Sequence, residues 1–115
     1  MAFSEFEKKQ IDSLVGGLCR ARSPAQHSDQ LKFTYEINAH AVTIWEERPR
    51  WDKPKEWTKM GVARFRYVKT KKQWKLYWMR SDLKWHEYHP DMSTAGALDP
   101  LVKIVAEDKS GAFFG

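Results

Sequence analysis

The chain has 115 residues, of which 42% are hydrophobic and 30% are charged, and it contains one cysteine. This size and composition predict one folded domain over residues 1–115, and they exclude a disordered chain and a fold held together by internal disulfides. No apolar run approaches the roughly 20 residues that cross a bilayer, and the N-terminus lacks the apolar core of a signal peptide. We therefore expect a cytoplasmic protein with no membrane partner.

Positive charge is concentrated in the middle of the chain. Between Arg48 and His86 there are 13 Lys and Arg residues against 3 Asp and Glu residues, while the rest of the chain holds 7 and 12. A local balance of +10 is therefore partly hidden within a net charge of +5. Five of the six tryptophans lie in the same segment, namely Trp51, Trp57, Trp74, Trp78 and Trp85. Such asymmetry indicates something about the partner and not about the fold.

The N-terminal segment predicts a helix from Ser4 to Arg22. Ser4 and Glu7 fit a capping box, in which each side chain binds a backbone N–H of the other residue. A mostly apolar stripe follows at helical spacing, and a Ser-Pro step ends the helix. Gly16 and Gly17 each cost about 1 kcal/mol relative to alanine. Either the helix is weak there or the glycines allow close packing.

Five strands are expected next, and consecutive strands are usually neighbours, which favours an antiparallel meander. Alternation of apolar and polar residues places them near residues 31–37, 41–47, 60–68, 73–80 and 83–88. In the second strand, Val42 and Ile44 should lie on one face, with Thr43, Trp45 and Glu47 on the other.

The segment 48–59 interrupts this alternation. Pro49 and Pro54 are not expected within a central strand, so a long loop is predicted. A connection of this length in a compact domain is often functional or packs on itself.

The hairpin that follows has two possible registers, because a shift of one residue exchanges the two faces. A turn of two or four residues separates an apolar face from a basic one, whereas a three-residue turn would mix them, and the lysines of residues 69–72 are poor for the primed turns of a two-residue loop. We choose the four-residue turn, which suits a type I geometry. The apolar face then holds Ala63, Phe65, Tyr67, Trp74, Leu76 and Trp78, and the other face holds Arg64, Arg66, Lys75, Tyr77 and Met79.

The C-terminal part predicts a loop over residues 91–96 and a second helix. Asp99 is the expected N-cap, Pro100 the first helical residue, and Gly111 the stop. Two phenylalanines near the C-terminus would expose large apolar side chains to water if they stayed on the surface, so we expect them to dock on the domain. The predicted fold class is α+β, a five-stranded antiparallel sheet with both helices packed on one face.

Six short motifs of the chain are distinctive: RPRW from Arg48, EWTK from Glu56, FRYV from Phe65, LYWMR from Leu76, DLKWH from Asp82, and the closing FFG. Together they resemble an uncharacterised bacterial family, a domain of unknown function, over most of the chain. The resemblance implies a bacterial, cytoplasmic, stand-alone domain. It assigns no activity and no functional residue.

Binding of an anionic partner, of which nucleic acid is the simplest, is the function that the basic, tryptophan-rich segment favours. Such binding needs cations for phosphates and flat rings for base stacking, and a sheet with exposed aromatic residues is a known platform for single strands. The candidate residues are Arg48, Arg50, Trp51, Trp57, Arg64, Arg66, Lys75 and Tyr77. The structural alternative is that Glu36, Glu47 and Glu87 neutralise the cations across the strands.

A second hypothesis is a protein-interaction or self-associating module, for example a homodimer. Trp and Arg are enriched in interface hot spots, and an exposed Trp51 or Trp57 beside Arg50 would suit a protein partner. The structural alternative is that both rings fold back and seal the loop onto the sheet.

No metal, cofactor or catalytic site is predicted. His86 and His89 are three residues apart, a spacing that points to opposite faces of a strand, and there is no clear third ligand. Cys19 is expected to be buried as a small hydrophobic residue. Ser81, Asp82 and His86 are triad residue types without a reason for triad geometry. The chain is therefore interpreted as a non-enzymatic binding domain, and a small-molecule site under the 48–59 loop is the weakest alternative.

Overall fold

A computed structural model describes residues 3–23, 30–88, 94–109 and 111–114 of the chain. Its elements are α1 (Glu5–Ile11), a π-helical segment (Asp12–Gly16), α2 (Gly17–Arg22), β1 (Lys32–Asn38), β2 (Ala41–Pro49), β3 (Trp57–Val68), β4 (Gln73–Met79), β5 (Trp85–Glu87), β6 (Thr94–Ala95) and α3 (Asp99–Glu107). This order confirms the predicted α+β class, with a helical segment before the sheet and another after it. No helix within the described residues is long and apolar enough to cross a membrane.

The N-terminal helical segment begins at the predicted capping box. The Ser4 hydroxyl accepts a hydrogen bond from the Glu7 N–H at 3.1 Å, and the Glu7 carboxylate accepts one from the Ser4 N–H at 2.9 Å. Gly16 ends the π-helical segment, where a Cβ atom would lie 2.7 Å from Asp12 Oδ1 and 3.0 Å from Tyr35 Cε1. Of the two alternatives, close packing therefore applies to Gly16, because it lets the helix approach β1.

The sheet is an antiparallel meander in the order β1-β2-β3-β4-β5, as predicted. The fifth strand is shorter than expected and covers only Trp85–Glu87. Residues 91–93 of the loop predicted over residues 91–96 lie outside the described residues, and the rest of that prediction is wrong in part, because Thr94 and Ala95 pair with Lys75 and Trp74 of β4. This short pairing extends the same sheet edge to which β5 belongs.

The β3–β4 hairpin has the predicted register. Val68 pairs with Gln73 across the four-residue turn, and Phe65 pairs with Leu76 on the apolar face. Arg64 lies opposite Tyr77, as expected for the other face. The period of two along each strand therefore separates core from surface, as the sequence indicated.

The long loop predicted over residues 48–59 is wrong, because the structure has a shorter one. Strand β2 continues through Pro49, which pairs with Trp57 at the start of β3, so the loop covers only residues 50–56. Proline is tolerated there because it occupies the last paired position, where the ladder no longer needs its N–H. Farther along the same pair, Val62 is an extra residue in β3 and produces a β-bulge.

The core lies between the helices and one face of the sheet. Its largest fully buried side chains come from both layers: Ile11 and Val15 from the N-terminal helical segment, Val42, Ile44, Phe65 and Leu76 from the sheet, and Leu101 and Val105 from α3. Both helices therefore pack on the same face, as predicted. We call the opposite face, which no helix covers within the described residues, the open face.

The ends of α3 differ from the prediction by one to a few residues. Leu98 is the N-cap instead of Asp99, and the helix ends at a left-handed Asp108, with φ of 46°, three residues before Gly111, which is also left-handed with φ of 71°. The Asp108 carboxylate accepts the backbone N–H groups of Phe113 and Phe114 at 3.0 and 2.9 Å. These bonds explain why an aspartate ends the helix, and they dock both phenylalanines on the domain as expected.

Candidate nucleic-acid interface

The register of the sheet determines which side chains share the open face, because directly paired residues point to the same side. Thr43, Arg64 and Tyr77 form one row across three strands, followed by Glu87 of β5. The charged and aromatic members of the open face are Lys32, Glu36, Trp45, Glu47, Trp57, Lys59, Arg64, Arg66, Lys75, Tyr77, Trp85 and Glu87. This face therefore combines cations with aromatic rings.

Two tryptophans form the centre of the open face. The rings of Trp45 and Trp85 are 6.3 Å apart at an interplanar angle of 73°, an edge-to-face arrangement. The Trp85 ring lies over Gly61, where a Cβ atom would be only 2.7 Å from Cη2 and Cζ2 of that ring. Both rings are half-buried, as is the Tyr77 ring. The glycine therefore makes room for an aromatic surface that spans the middle of the sheet.

Cations lie over these rings. The Arg64 guanidinium is 4.8 Å from the centre of the Trp85 ring, and the Lys59 ammonium is 5.9 Å from that of Trp45. Arg64 Nε also donates a hydrogen bond to the Thr43 hydroxyl at 3.2 Å. Within the described residues neither cation forms an ion pair with a carboxylate. Their charges are held in place by π-systems and stay available to an anion.

The three glutamates considered as neutralising partners have different roles. Glu36 accepts a hydrogen bond from Trp45 Nε1 at 2.7 Å, and Glu47 accepts one from the Thr34 hydroxyl at 2.5 Å. Glu87 forms an ion pair with Lys75 at 3.2 Å. Glu87 is therefore the one of the three that forms an ion pair within the described residues, while Glu47 lies opposite Lys32 and Lys59 in the ladder without one.

Two of the predicted arginines, Arg48 and Arg50, are paired with carboxylates away from the aromatic centre. Arg48 pairs with Glu46, and Arg50 binds Asp52 at 2.8 Å and Glu56 at 3.1 Å. Both lie at the β2–β3 hairpin end, so the structure does not bring them to the aromatic centre.

Arg66 is the contrasting case among the predicted arginines. It projects from β3 opposite Ala41 and Lys75, is exposed, and has no ion-pair partner within the described residues. Of the predicted arginines, Arg64 and Arg66 therefore lie on the open face without an ion-pair partner among the described residues.

The two tryptophans of the segment that was predicted as a loop, Trp51 and Trp57, also differ from each other. Trp51 is 94% exposed, so it does not fold back onto the sheet. Trp57 is 38% exposed, and the Lys32 ammonium lies 4.8 Å from its ring centre. Trp57 thus extends the pattern of stacked cations along the open face, while Trp51 stands apart at the loop.

Sequence reasoning missed four residues of this surface: Lys32, Trp45, Lys59 and Trp85. The alternation in β2 did place Trp45 on the face opposite Val42, which was a usable signal. The position of Trp85 had no local signal, because its ring crosses to β3 only where Gly61 lacks a side chain. Lys32 lies in the predicted first strand, where alternation places it on the face opposite Phe33, whereas Lys59 joins the surface only because β3 begins earlier than predicted.

The remaining candidate chemistry is limited. His86 Nε2 lies 2.9 Å from Asp82 Oδ2, and this hydrogen bond holds the pKa of Asp82 below its usual value. His89 lies outside the described residues, and within those residues no group of three metal-binding side chains is present. Cys19 is buried, and burial raises the pKa of its thiol to about 11. This thiol is therefore protonated and unreactive at neutral pH.

Residues 48–59 line neither of two surface clefts that the described residues form. One lies between the N-terminal helical segment and the start of α3, with Ile11, Leu14 and Trp74 in its wall. The other lies between the β1–β2 and β3–β4 turns. A small-molecule site under the β2–β3 loop therefore finds no support in either cleft.

Comparison with known families gives one match. A family model described as Domain of unknown function (DUF3024) matches residues 3–115 and confirms the resemblance to an uncharacterised domain family. Neither the curated proteins nor the solved structures that were compared with the chain include a match. The family match therefore assigns no function to the open face.

Proposed function

The chain belongs to the DUF3024 family of domains of unknown function, and from the geometry of its open face we propose that it binds single-stranded nucleic acid without catalysis. The observation that carries the proposal is the pair of half-buried rings, Trp45 and Trp85, with Lys59 and Arg64 over them, two cations that form no ion pair within the described residues. The resemblance and the single cysteine favour the bacterial cytoplasm as its location.

The proposed mechanism separates stacking from charge. Unpaired bases stack on aromatic rings or on the plane of an arginine guanidinium, and Trp45, Tyr77 and the Arg64–Trp85 pair offer such surfaces. Phosphates between the bases would contact Lys59 and Arg66, which are exposed and have no ion pair within the described residues. Neighbouring strands are about 4.8 Å apart, so the row from β2 to β5 suits a few splayed nucleotides. A duplex would offer phosphates but not base faces.

Binding is tested by fluorescence anisotropy with a labelled mixed-sequence RNA or DNA of about 12 nucleotides, single-stranded and as a duplex. We expect the single strand to bind more tightly than the duplex. A plot of the logarithm of its binding constant against the logarithm of the salt concentration should have a slope of about −0.7 for each phosphate contacted. Absence of binding at low salt, or equal binding to the duplex, would contradict the proposal.

A charge-matched pair of variants locates the surface. The double variant K59Q/R66Q removes two open-face cations and should weaken binding about tenfold with a smaller salt slope. The control K9Q/K103Q removes two exposed cations of the helical layer and should leave the affinity nearly unchanged. Equal losses in both variants would mean that only net charge matters.

A second candidate function is a protein-interaction or self-associating module, and the exposure of Trp51 favours it. Hydrogen bonds and ion pairs of Arg50 hold the loop that carries Trp51 in one conformation. The Arg50 N–H donates to the Glu56 carbonyl at 2.8 Å, and the Arg50 side chain binds two carboxylates. A preorganised, exposed tryptophan loses little entropy on binding and suits an interface hot spot.

Sedimentation of the wild type, W51A and F6A tests self-association through this loop. Phe6 is the matched control, because it is 70% exposed but lies on α1. We expect concentration-dependent dimers that W51A abolishes and F6A retains. Dimers that persist in W51A would exclude Trp51 as the contact.

A further inference from the structure

The end of the sheet opposite the β2–β3 loop contains a cleft of about 380 Å³. It lies between the β1–β2 turn and the β3–β4 turn, and the Tyr67 N–H joins the two sides by donating to the His40 carbonyl at 2.9 Å. The polar side chains in its wall include His40, Arg66, Lys69 and Thr70. We call this the turn cleft.

Charge is unbalanced at the turn cleft. Arg66 and Lys69 are exposed, and neither has an ion-pair partner within the described residues. Among the described residues no carboxylate lines the cleft, while Lys71 in the same turn adds a further exposed cation. At the other end of the sheet, Arg50 is neutralised by two carboxylates. The turn cleft is therefore where the basic segment keeps a concentrated positive charge.

The donor set matches one ligand chemistry. An arginine fork and a lysine ammonium form charge-assisted hydrogen bonds to phosphate oxygens, and the Thr70 hydroxyl supplies a neutral donor. A phosphate monoester carries about 1.5 to 2 negative charges near neutral pH, against one for an internal phosphodiester. Two cations that line one cleft, with no carboxylate among its described lining residues, therefore favour the monoester. The volume is at the lower end of the range for small-ligand pockets.

We propose that the turn cleft binds a phosphate monoester and, resting on the proposed function, that it holds the terminal phosphate of a strand lying along the open face. Arg66 makes the connection, because it lines the cleft and also projects from the open face next to the row of Arg64 and Tyr77. A strand stacked on the aromatic centre can thus run to the cleft without leaving the surface. The same chemistry would also accept a free nucleotide.

The experiment compares oligonucleotides of one sequence with a 5′-phosphate, a 3′-phosphate or no terminal phosphate, together with a nucleoside monophosphate as competitor. We expect one phosphorylated form to bind about tenfold more tightly than the form without a phosphate. The variant K69Q/T70V should remove this preference. The control K71Q, which removes the same charge from the same turn outside the cleft wall, should retain it, and thermal unfolding checks that all variants fold.

The outcomes separate the two proposals. If all oligonucleotides bind equally while K59Q/R66Q still weakens them, the cleft proposal fails and the proposed function stands. If no oligonucleotide binds but the nucleoside monophosphate binds in a Lys69-dependent manner, the cleft stands for a free phosphorylated ligand and the proposed function fails. If K71Q removes the preference as fully as K69Q/T70V, general charge explains it and the cleft proposal is overturned.

Discussion

Gly61 is the single position on which the geometry of the open face depends most. Its missing side chain lets the Trp85 ring cross from β5 to β3, where it meets Trp45 and supports Arg64. A glycine in a strand usually weakens it. Here the cost is offset by an aromatic contact that no other residue type would allow at this position.

We predict that G61A lowers the free energy of unfolding by about 1 to 3 kcal/mol, because the new methyl group would overlap the Trp85 ring and Met79 Cε. Urea unfolding measures the change, and tryptophan emission should shift as the ring moves. The control is G17A, since a Cβ atom at Gly17 meets nothing within 4 Å. That helical substitution should raise stability by up to about 1 kcal/mol. Equal stability of the two variants would refute this account of Gly61.

Among the elements, the β2–β3 hairpin differs most from the sequence expectation. Its strands extend farther than predicted, and the loop of residues 50–56 is held by hydrogen bonds of Arg50 to Asp52 and Glu56. Exposed ion pairs of this kind contribute little to global stability. Their effect is local, because they order the loop that presents Trp51.

We predict that R50A increases trypsin cleavage after Lys55 several-fold and changes the free energy of unfolding by less than about 1 kcal/mol. Loss of the Arg50 contacts frees the loop backbone, which a protease must bind in an extended form. Mass spectrometry of timed digests gives the rate. The variant R48A removes a neighbouring exposed arginine outside the loop and should behave as the wild type. Unchanged cleavage in R50A would mean that other contacts order the loop.

As a whole molecule, the domain depends on the attachment of its N-terminal helical segment to the sheet. The Tyr35 hydroxyl donates to Asp12 Oδ1 at 2.7 Å, and Arg20 pairs with the same oxygen at 3.5 Å. Burial raises the pKa of Tyr35 to about 12, with the Asp12 hydrogen bond adding to the effect. Cys19 lies on the same helical segment, and burial raises the pKa of its thiol to about 11. Both groups are therefore held neutral in the folded state.

We predict that stability falls as the pH rises above about 9. A group whose pKa is higher in the folded state contributes stability below its unfolded pKa, which is 9.0 for Cys19 and 10.0 for Tyr35. That contribution is lost as the pH approaches about 11 and then about 12. Urea unfolding between pH 7 and 12 measures the effect. C19A should flatten the first part of the decline and Y35F the second, and parallel curves for all three proteins would contradict the assignment.

Much of the fold could be predicted from local patterns. The separation of Phe65 and Leu76 from Arg64 and Lys75 gave the correct hairpin register. Alternate residues of a strand point to opposite faces, so only one register places the apolar residues together on one face and the basic residues on the other. Errors occurred where tertiary bonds override local propensity. Asp108 replaces Gly111 at the end of α3 because its carboxylate binds two backbone N–H groups beyond the helix.

The sequence by itself determined the fold class, the order of the strands and the face to which most side chains of the central hairpin belong. Only the tertiary structure decided which cations form ion pairs and which remain without one among the described residues. Arg50 is neutralised within its own loop, whereas Arg64 rests on a tryptophan from a strand two positions away in the sheet. The physical reason is that ion pairs and ring contacts act over a few ångströms between residues distant in the chain, and such distances exist only once the strands are assembled.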